Sequence, residues 1–322
     1  MFEPTATGEP MADVTLRTAL AGQGGTHALR TGAVTPNGFA LEFVDVPVIV
    51  DAFRRMVRGL EFDVCEMAIT TYLCARAHDK GFTALPLFVQ RGLHHGAIRH
   101  QAGSGVDRPK DLEGRRVGVN RGYTVTTGVW ARAILAEEHG VDLDRVTWVR
   151  SGDEHVTEVA LPNNVETVEP GRKLPDLLLA GELAAVVGGE IDHPDVRPLI
   201  PDAAGAAEEA LRTRGWYPIN HVVVVRDELL AVYPGLAPAL VEAFTAAKDA
   251  YVADLGAGAI AEPTATDRRN ARVMAITGAD PLPYGVAANR AMVDTLVDHA
   301  VRQHILDRPI AAADLFATTD ED

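Results

Sequence analysis

The sequence predicts an α/β protein made of two lobes, because the chain is long and because strand and helix patterns alternate in two separate runs. The chain has 322 residues and 47% of them are hydrophobic, which is enough to bury more than one core. The first run begins at Val14 and the second at Val117, and the polar stretch 109–116 separates them. Alternating strands and helices are typical of parallel sheets flanked by helices.

The first run starts with a strand at 14–19, followed by the Gly-rich turn 22–26, which can bring backbone amides and Thr26 close to a ligand. Apolar residues then recur at helical spacing from Ile49 to Leu60, which predicts an amphipathic helix packed on the sheet. Further strands are expected at 41–46, 62–69, 84–89 and 96–100, and a further helix at 72–78.

The second run repeats this alternation and then returns the chain to the first lobe. Helices are expected at 125–138 and 174–179, strands at 146–149 and 184–187, and a polar loop over the cleft at 163–170. The β-branched strand 219–226 is where the return is expected, followed by two long helices at 236–251 and 286–297. We therefore assign residues 1–110 and 226–322 to lobe I and residues 111–225 to lobe II.

The charge balance excludes two classes of partner. The chain has 45 acidic and 30 basic residues, which gives a formal net charge of −15. Nucleic acid and anionic membrane both require a basic surface, so neither is expected as a partner. Residues 1–10 are polar and acidic, without the basic and apolar regions of a signal peptide, and no apolar run is long enough to span a bilayer. We expect a cytoplasmic protein that binds a small molecule.

The two cysteines, Cys65 and Cys74, lie on adjacent elements and form no Cys-x-x-Cys pair. Neither a disulfide framework nor a zinc site is indicated. Buried free thiols are the expected state.

Glu66 is the most informative residue, because it interrupts an otherwise apolar strand at 62–69. A carboxylate near the end of a strand in an α/β protein usually faces a ligand or a lobe interface, since an unpaired charge in a core is costly. A structural ion pair with a neighbouring arginine is the alternative.

Three more candidates follow the strand at 84–89. Arg91 can anchor a carboxylate bidentately, with a structural salt bridge as the alternative. His95, four residues later, can act as an acid or a metal ligand, or it is a hydrogen-bonded loop histidine. His94 is the weaker candidate, because adjacent residues on an extended chain point to opposite faces.

His221 lies inside the apolar strand at 219–226, where a titratable ring needs a partner to offset its burial. At the start of a predicted helix, free amides and hydroxyls suit an anion, although simple helix capping explains the threonines as well. The candidates of that type are Tyr123, Thr124 and Thr126. Glu154 and His155 follow a strand in the same way and are expected to reach the cleft.

Four histidines and Glu66 offer enough donors for a mixed metal site, but no local ligand pair such as His-x-x-x-His is present. No metal and no other cofactor are therefore assigned. A metal ion bound by His94, His95, His155 and His221 is kept as an alternative.

Six motifs, taken in order, resemble the 4,5-dihydroxyphthalate decarboxylase family over nearly the whole chain. They are Phe62-Asp63-Val64-x-Glu66-Met67, Arg91-x-x-x-His95, Thr126-x-x-Val129-Trp130-x-Arg132, Gly189-Glu190-Ile191-Asp192, Pro218-Ile219-x-His221-Val222-Val223-Val224 and Pro283-Tyr284-Gly285. The resemblance implies the two-lobed periplasmic-binding-protein type 2 fold, with the ligand held in the cleft between the lobes.

The chain departs from the family pattern at two places. Gly24-Gly25-Thr26-His27 stands where the family usually carries Asp-Arg-Thr-Arg, and His94 replaces a third arginine in Arg-x-Phe-Arg-His. Each lost guanidinium removes a charge-assisted carboxylate contact of about 1.5 to 3 kcal/mol. The substrate is therefore expected to carry one carboxylate, or to have its second charged group replaced by something neutral or larger, and not to be the phthalate dianion.

The resemblance implies a decarboxylase of a hydroxylated aromatic or related conjugated carboxylic acid. Glu66, His95 and His221 are the expected catalytic residues, with a histidine protonating the carbon that bears the carboxylate. The expected substrate-binding residues are Arg91, His94, Thr26, Tyr123, Thr124, Thr126, Glu154 and His155. A solute-binding protein for a small carboxylate, or another lyase or metal-dependent enzyme of the same fold, are the alternatives. Exposed faces of the first-lobe helices leave a homodimer open.

Overall fold

The computed structural model describes residues 14–317, which form two mixed sheets covered by helices. The strands are β1 (Val14–Ala19), β2 (Phe39–Phe43), β3 (Val64–Ala68), β4 (Phe82–Arg91), β5 (Ile98–Gln101), β6 (Arg116–Val119), β7 (Thr147–Arg150), β8 (Val165–Thr167), β9 (Ala185–Val187), β10 (Val196–Pro198) and β11 (Ile219–Arg226). The helices are α1 (His27–Arg30), α2 (Ile49–Gly59), α3 (Ile69–Ala77), α4 (Thr126–His139), α5 (Leu174–Leu179), α6 (Ala203–Arg214), α7 (Asp227–Val232), α8 (Leu236–Ala257), α9 (Ala265–Thr277), α10 (Val286–Arg302) and α11 (Ala312–Leu315).

The first sheet has the strand order β2-β1-β3-β11-β4. β1 is parallel to β2 and β3, as predicted, but β11 runs antiparallel to both β3 and β4. The antiparallel strand arises because the chain enters β11 from the other sheet. The first lobe is built on this sheet.

The second sheet has the order β10-β5-β9-β6-β7-β8 and forms the second lobe. β6 is parallel to β7 and β9, and β7 to β8, whereas β5 is antiparallel to β9 and β10. The predicted alternation of strands and helices therefore holds in both lobes.

The chain changes sheets between β4 and β5 and again between β10 and β11. The boundaries predicted at 110/111 and 225/226 differ from this, since they assign β5 to lobe I and β11 to lobe II. The polar stretch 109–116 comprises a short 3-10 helix (Pro109–Leu112), a turn and the start of β6, all within the second lobe. Its polar composition is typical of a surface loop. The two segments that do cross between the lobes contain buried residues such as His95 and Trp216.

Helices cover the first sheet on both faces. α2 buries Ala52, Phe53, Met56 and Val57, which confirms the amphipathic helix predicted from its spacing. α8 packs Leu240 and Phe244 on the opposite face, and each such buried side chain contributes about 1.5–3 kcal/mol of transfer free energy. Cys65 and Cys74 are buried free thiols, as expected.

The sequence patterns do not predict α6 and α9. α6 reads Ala-Ala-Gly-Ala-Ala-Glu-Glu-Ala-Leu-Arg-Thr-Arg, with Leu211 as its one large apolar residue. α9 is similarly polar and buries only Asp267, Asn270 and Val273. Helices with so little apolar surface carry almost no periodic signal.

The two crossovers are fastened to each other and to α4. Trp130, fully buried on α4, donates its indole N–H to the carbonyl oxygen of Ile219 at 2.9 Å. His94 in the first crossover lies with its Nε2 2.9 Å from Oδ1 of Asn220, where the second crossover ends. These contacts fix the relative position of the lobes at the hinge side of the cleft.

Among residues 14–317, no helix is both long and apolar enough to cross a membrane.

Burial of His94 predicts a pH-dependent stability. Burial lowers the pKa of His94 to about 4, whereas in the unfolded chain the pKa is about 6.5. The unfolded state therefore binds a proton that the folded state does not, so stability present above pH ~6.5 is lost as the pH falls towards ~4. Between pH 7 and 4.5 we expect the wild type to lose about 2 kcal/mol more unfolding free energy than His94→Gln, measured by urea denaturation.

Exposed His78 provides the control, since His78→Gln is expected to leave the pH slope unchanged. Equal slopes for wild type and His94→Gln would contradict a neutral, buried His94.

Candidate active site

Glu66 and His221, which the sequence predicts to act together, are in direct contact. Glu66 pairs with Val223 across β3 and β11, so its side chain shares a face with His221 two residues earlier on β11. The Glu66 side chain is fully buried, and its Oε1 lies 2.6 Å from Nδ1 of His221, which keeps 14% side-chain exposure. Nε2 of His221 makes no hydrogen bond with any residue between 14 and 317.

The loop after β1 completes the surroundings of the Glu66 carboxylate. The backbone N–H of Ala21 donates to Oε2 at 2.8 Å, and the Gln23 side chain donates to Oε1 at 3.2 Å. Thr26 holds this loop by donating to the carbonyl of Ala21 at 2.8 Å. Both carboxylate oxygens therefore have donors, which offsets the cost of burying the charge.

Phe53 brings a second histidine into the site. Its buried ring contacts His221 of the first lobe edge-on at 5.1 Å and His155 of the second lobe at 6.1 Å between centroids. Nδ1 of His155 lies 2.9 Å from Oγ1 of Thr71. Burial lowers the pKa of His155 to about 4, so this imidazole is neutral at physiological pH. One imidazole from each lobe thus meets at one aromatic ring.

Two helices begin at the junction of the lobes, and neither has a side-chain N-cap. The hydroxyl oxygens of Thr70 at the start of α3 and Thr126 at the start of α4 are 2.7 Å apart. Free amide N–H groups and the helix dipole favour a negative charge at such termini. The N–H of Thr70 also donates to the Thr126 hydroxyl at 3.4 Å, so the two helix starts bind each other across the junction of the lobes.

The Glu154 side chain holds the loop that leads into α4. Its buried carboxylate accepts hydrogen bonds from the backbone N–H groups of Tyr123 at 2.7 Å and Thr124 at 3.0 Å, and from the Thr124 hydroxyl at 2.6 Å. Arg150 adds a contact at 3.3 Å. A Cβ at Gly122 would lie 2.5 Å from Oε2 of Glu154, so the loop approaches the carboxylate at a glycine. Tyr123, Thr124 and Glu154, predicted to bind substrate, bind one another instead and shape the entry to α4.

Arg91, predicted to anchor a carboxylate, is bound to neutral groups. Its guanidinium donates to the carbonyl of Tyr217 at 2.8 Å and to the side-chain oxygen of Asn289. The residue is 5% exposed, and burial lowers its pKa to about 10, so it remains a cation. These contacts join β4 to α10, while the buried Nε has no hydrogen-bond partner among residues 14–317.

His95, predicted as a proton donor, lies in the first crossover and is fully buried. Its Nε2 is 3.1 Å from both carboxylate oxygens of Glu138 on α4, which also binds Arg214. His94 is paired with Asn220, as described above. The structure therefore places both histidines at the hinge, away from the contacts of Glu66.

The sequence did not identify Gln23, Phe53, Thr70 and Thr71 as site residues. Gln23 lies inside the Gly-rich turn, and the two threonines follow the Glu66 strand directly, which were usable signals. Phe53 cannot be told from a core residue by its spacing. Tyr284, part of a motif quoted above, also belongs here: burial, with the charges of Asp280 and Glu66, raises its pKa.

Within the described part of the chain, no three His, Cys, Asp or Glu side chains come together as a metal site.

The chain is similar to several known proteins. A family model described as NMT1/THI5 like matches residues 61–170. A 4,5-dihydroxyphthalate decarboxylase from Comamonas testosteroni is 34% identical over 286 residues, which cover 83% of this chain and 85% of that protein. A second 4,5-dihydroxyphthalate decarboxylase, from Pseudomonas putida, is 33% identical over 181 residues, covering 52% of this chain and 67% of that protein.

The fold is similar to that of the periplasmic aliphatic sulphonate binding protein SsuA from Escherichia coli. The TM-score is 0.53 at 12% sequence identity, with 94% of this chain and 92% of that chain covered. This similarity confirms the two-lobed periplasmic-binding-protein type 2 fold. The identity to the Comamonas protein over most of both chains shows that this chain belongs to the 4,5-dihydroxyphthalate decarboxylase family.

Proposed function

We propose that the protein is a decarboxylase of a hydroxylated aromatic or related conjugated acid with one carboxylate, and that Glu66 and His221 are its catalytic pair. The observation that carries the proposal is the 2.6 Å contact between a fully buried carboxylate and an imidazole whose other nitrogen has no hydrogen-bond partner among residues 14–317. Membership of a family whose relatives are named decarboxylases supports the reaction class.

The pair supplies a proton where the reaction needs one. With Nδ1–H directed at Glu66, protonated His221 delivers its Nε2 proton to the ring carbon that bears the carboxylate, helped by electron donation from the ring hydroxyl. The bond to the carboxylate then breaks, CO2 leaves, and its electron pair restores the aromatic ring. One proton is consumed for each CO2 released, and solvent reprotonates His221. Glu66 orients the imidazole and stabilises the imidazolium, as an acidic partner does in catalytic triads.

The substrate carboxylate would bind at the starts of α3 and α4. The helix dipoles favour an anion there, and a bound carboxylate would replace the contact between the Thr70 and Thr126 hydroxyls. No tight bidentate clamp forms, so the loss of charge as CO2 departs is not strongly opposed. Neutral His155 is suited to hydrogen-bond a ring hydroxyl, because its low pKa keeps it uncharged.

The positions of the arginines favour a substrate with a single carboxylate. Residues 24–27 contain no arginine, and Arg91 already donates to Tyr217 and Asn289. A second carboxylate would therefore find no arginine at residues 24–27 and would compete with Tyr217 and Asn289 for Arg91.

A solute-binding function is the second candidate. It is favoured by the likeness of the fold to a sulphonate-binding protein and by helix starts that suit an anion. Release of CO2 separates the two functions, because a binding protein retains its ligand unchanged.

Removing either member of the pair is expected to abolish turnover while substrate still binds. Loss of a general acid or its partner typically costs about 10² to 10⁴-fold in rate, so Glu66→Gln and His221→Asn are expected to release CO2 at least about 100-fold more slowly. Single-turnover CO2 release and product chromatography measure this across a panel of hydroxybenzoates.

Glu42→Gln, an exposed change on the neighbouring β2, is the matched control and should retain wild-type rates. Wild-type turnover by Glu66→Gln, or binding of the panel by wild type without any CO2 release, would contradict the catalytic assignment.

The relative affinity for a monocarboxylate and a dicarboxylate tests how many carboxylates the substrate carries. The probes are 3,4-dihydroxybenzoate and 4,5-dihydroxyphthalate, which differ by one carboxylate. We expect calorimetry to give at least about tenfold tighter binding of the monocarboxylate, because the second charge is desolvated without a matching guanidinium. Tighter binding of the dicarboxylate would show that the replaced arginines have a substitute in the cleft.

A further inference from the structure

We propose that Arg54 and Arg58 of the first lobe, by holding Asp153 of the second, form a closure latch that positions His155 in the cleft. The proposal concerns positioning residues outside the Glu66–His221 pair, and it rests on the proposed function only for its effect on turnover. We call the three residues Arg54, Arg58 and Asp153 the rim latch.

The rim latch joins the lobes at the mouth of the cleft. Arg54 and Arg58 are four residues apart on α2 and therefore lie on one helix face. Nη2 of Arg54 is 2.6 Å from Oδ1 of Asp153, and Nη2 of Arg58 is 2.9 Å from Oδ2. Both oxygens of one carboxylate are thus bound by the opposite lobe.

Arg58 extends the latch along the backbone. Its Nη2 also donates to the carbonyl oxygen of Glu154 at 2.8 Å, and its Nε donates to that of His155 at 3.3 Å. One guanidinium therefore contacts three consecutive residues of the second lobe. Of these, Glu154 shapes the loop before α4, and His155 reaches the cleft.

The position of His155 depends on the lobes being together. Its side chain belongs to the second lobe, but its hydrogen bond to Thr71 and its aromatic contact with Phe53 are both made to the first lobe. Phe53 precedes Arg54 on α2, so a single helix supplies the ring against which His155 packs and the cations that hold its backbone. If the latch opens, we expect His155 to lose its burial.

The rim latch is a solvent-exposed contact that can open and close reversibly. The side chains of Arg54, Arg58 and Asp153 are 43%, 38% and 56% exposed. Exposed ion pairs of this kind contribute little to global stability and are weakened by salt, which suits a contact that has to open for each ligand. A second cross-lobe pair joins partly buried Lys80 to exposed Glu158 at 2.6 Å.

Titration of His155 by nitrogen-15 NMR of the unliganded full chain tests the latch without any need for turnover. In Asp153→Asn and Arg58→Gln we expect the midpoint of His155 to rise by about one pH unit or more towards the value of an exposed histidine, while the melting temperature is unchanged. Asp153→Glu is expected to restore most of the wild-type midpoint.

The direction of the change in the His155 midpoint distinguishes opening of the rim latch from a direct effect of the lost charge. The negative charge of Asp153 favours the protonated ring, so losing that charge in a closed protein would lower the pKa of His155. Arg54, Arg121 and Glu154 are the other charges that act on this ring. A rise in Asp153→Asn therefore reports exposure.

Glu166→Gln is the matched control, because Glu166 forms a comparably exposed ion pair with Arg116 inside the second lobe. It should leave the midpoint of His155 unchanged. Spin labels on the two lobes should also show a longer distance in Asp153→Asn than in wild type. An unchanged or lower midpoint together with an unchanged distance in Asp153→Asn would overturn the latch, whether or not the protein releases CO2.

Discussion

The contact between Glu66 and His221 is the constraint on which the rest of the cleft depends. A carboxylate in an apolar strand is costly unless donors surround it, and here they come from the loop after β1 and from β11. β11 reaches β3 only because the chain returns from the second lobe and inserts antiparallel into the first sheet. The strand connection that joins the two lobes therefore also brings Glu66 and His221 together.

Arg91 and residues 24–27 do not supply the cleft with a free bidentate guanidinium clamp. Arg91 binds neutral acceptors near the hinge, and residues 24–27 provide backbone and no guanidinium. An anion is left with helix starts, threonine hydroxyls and histidines, groups that hold a charge without clamping it.

Local patterns were sufficient for much of the fold and for part of the site. The bounds of β1, β11 and α5 match their predictions, and Glu66 and His221, both candidates from the sequence, are in contact. The roles of His95 and Arg91 could not be read from spacing, because both lie beside a strand end and differ only in their distant partners, Glu138 and Asn289. The crossovers were misplaced because a polar surface loop resembles a lobe boundary in composition, whereas the real hinge is buried.

Nitrogen-15 NMR of the His221 ring tests the pairing with Glu66 most directly. If Glu66 fixes the ring as described, the neutral ring carries its proton on Nδ1 and leaves Nε2 without one. In Glu66→Gln this preference is expected to weaken, because the charged acceptor is gone. A neutral wild-type ring with its proton on Nε2 and none on Nδ1 would contradict the assignment of His221 as an acid held by Glu66.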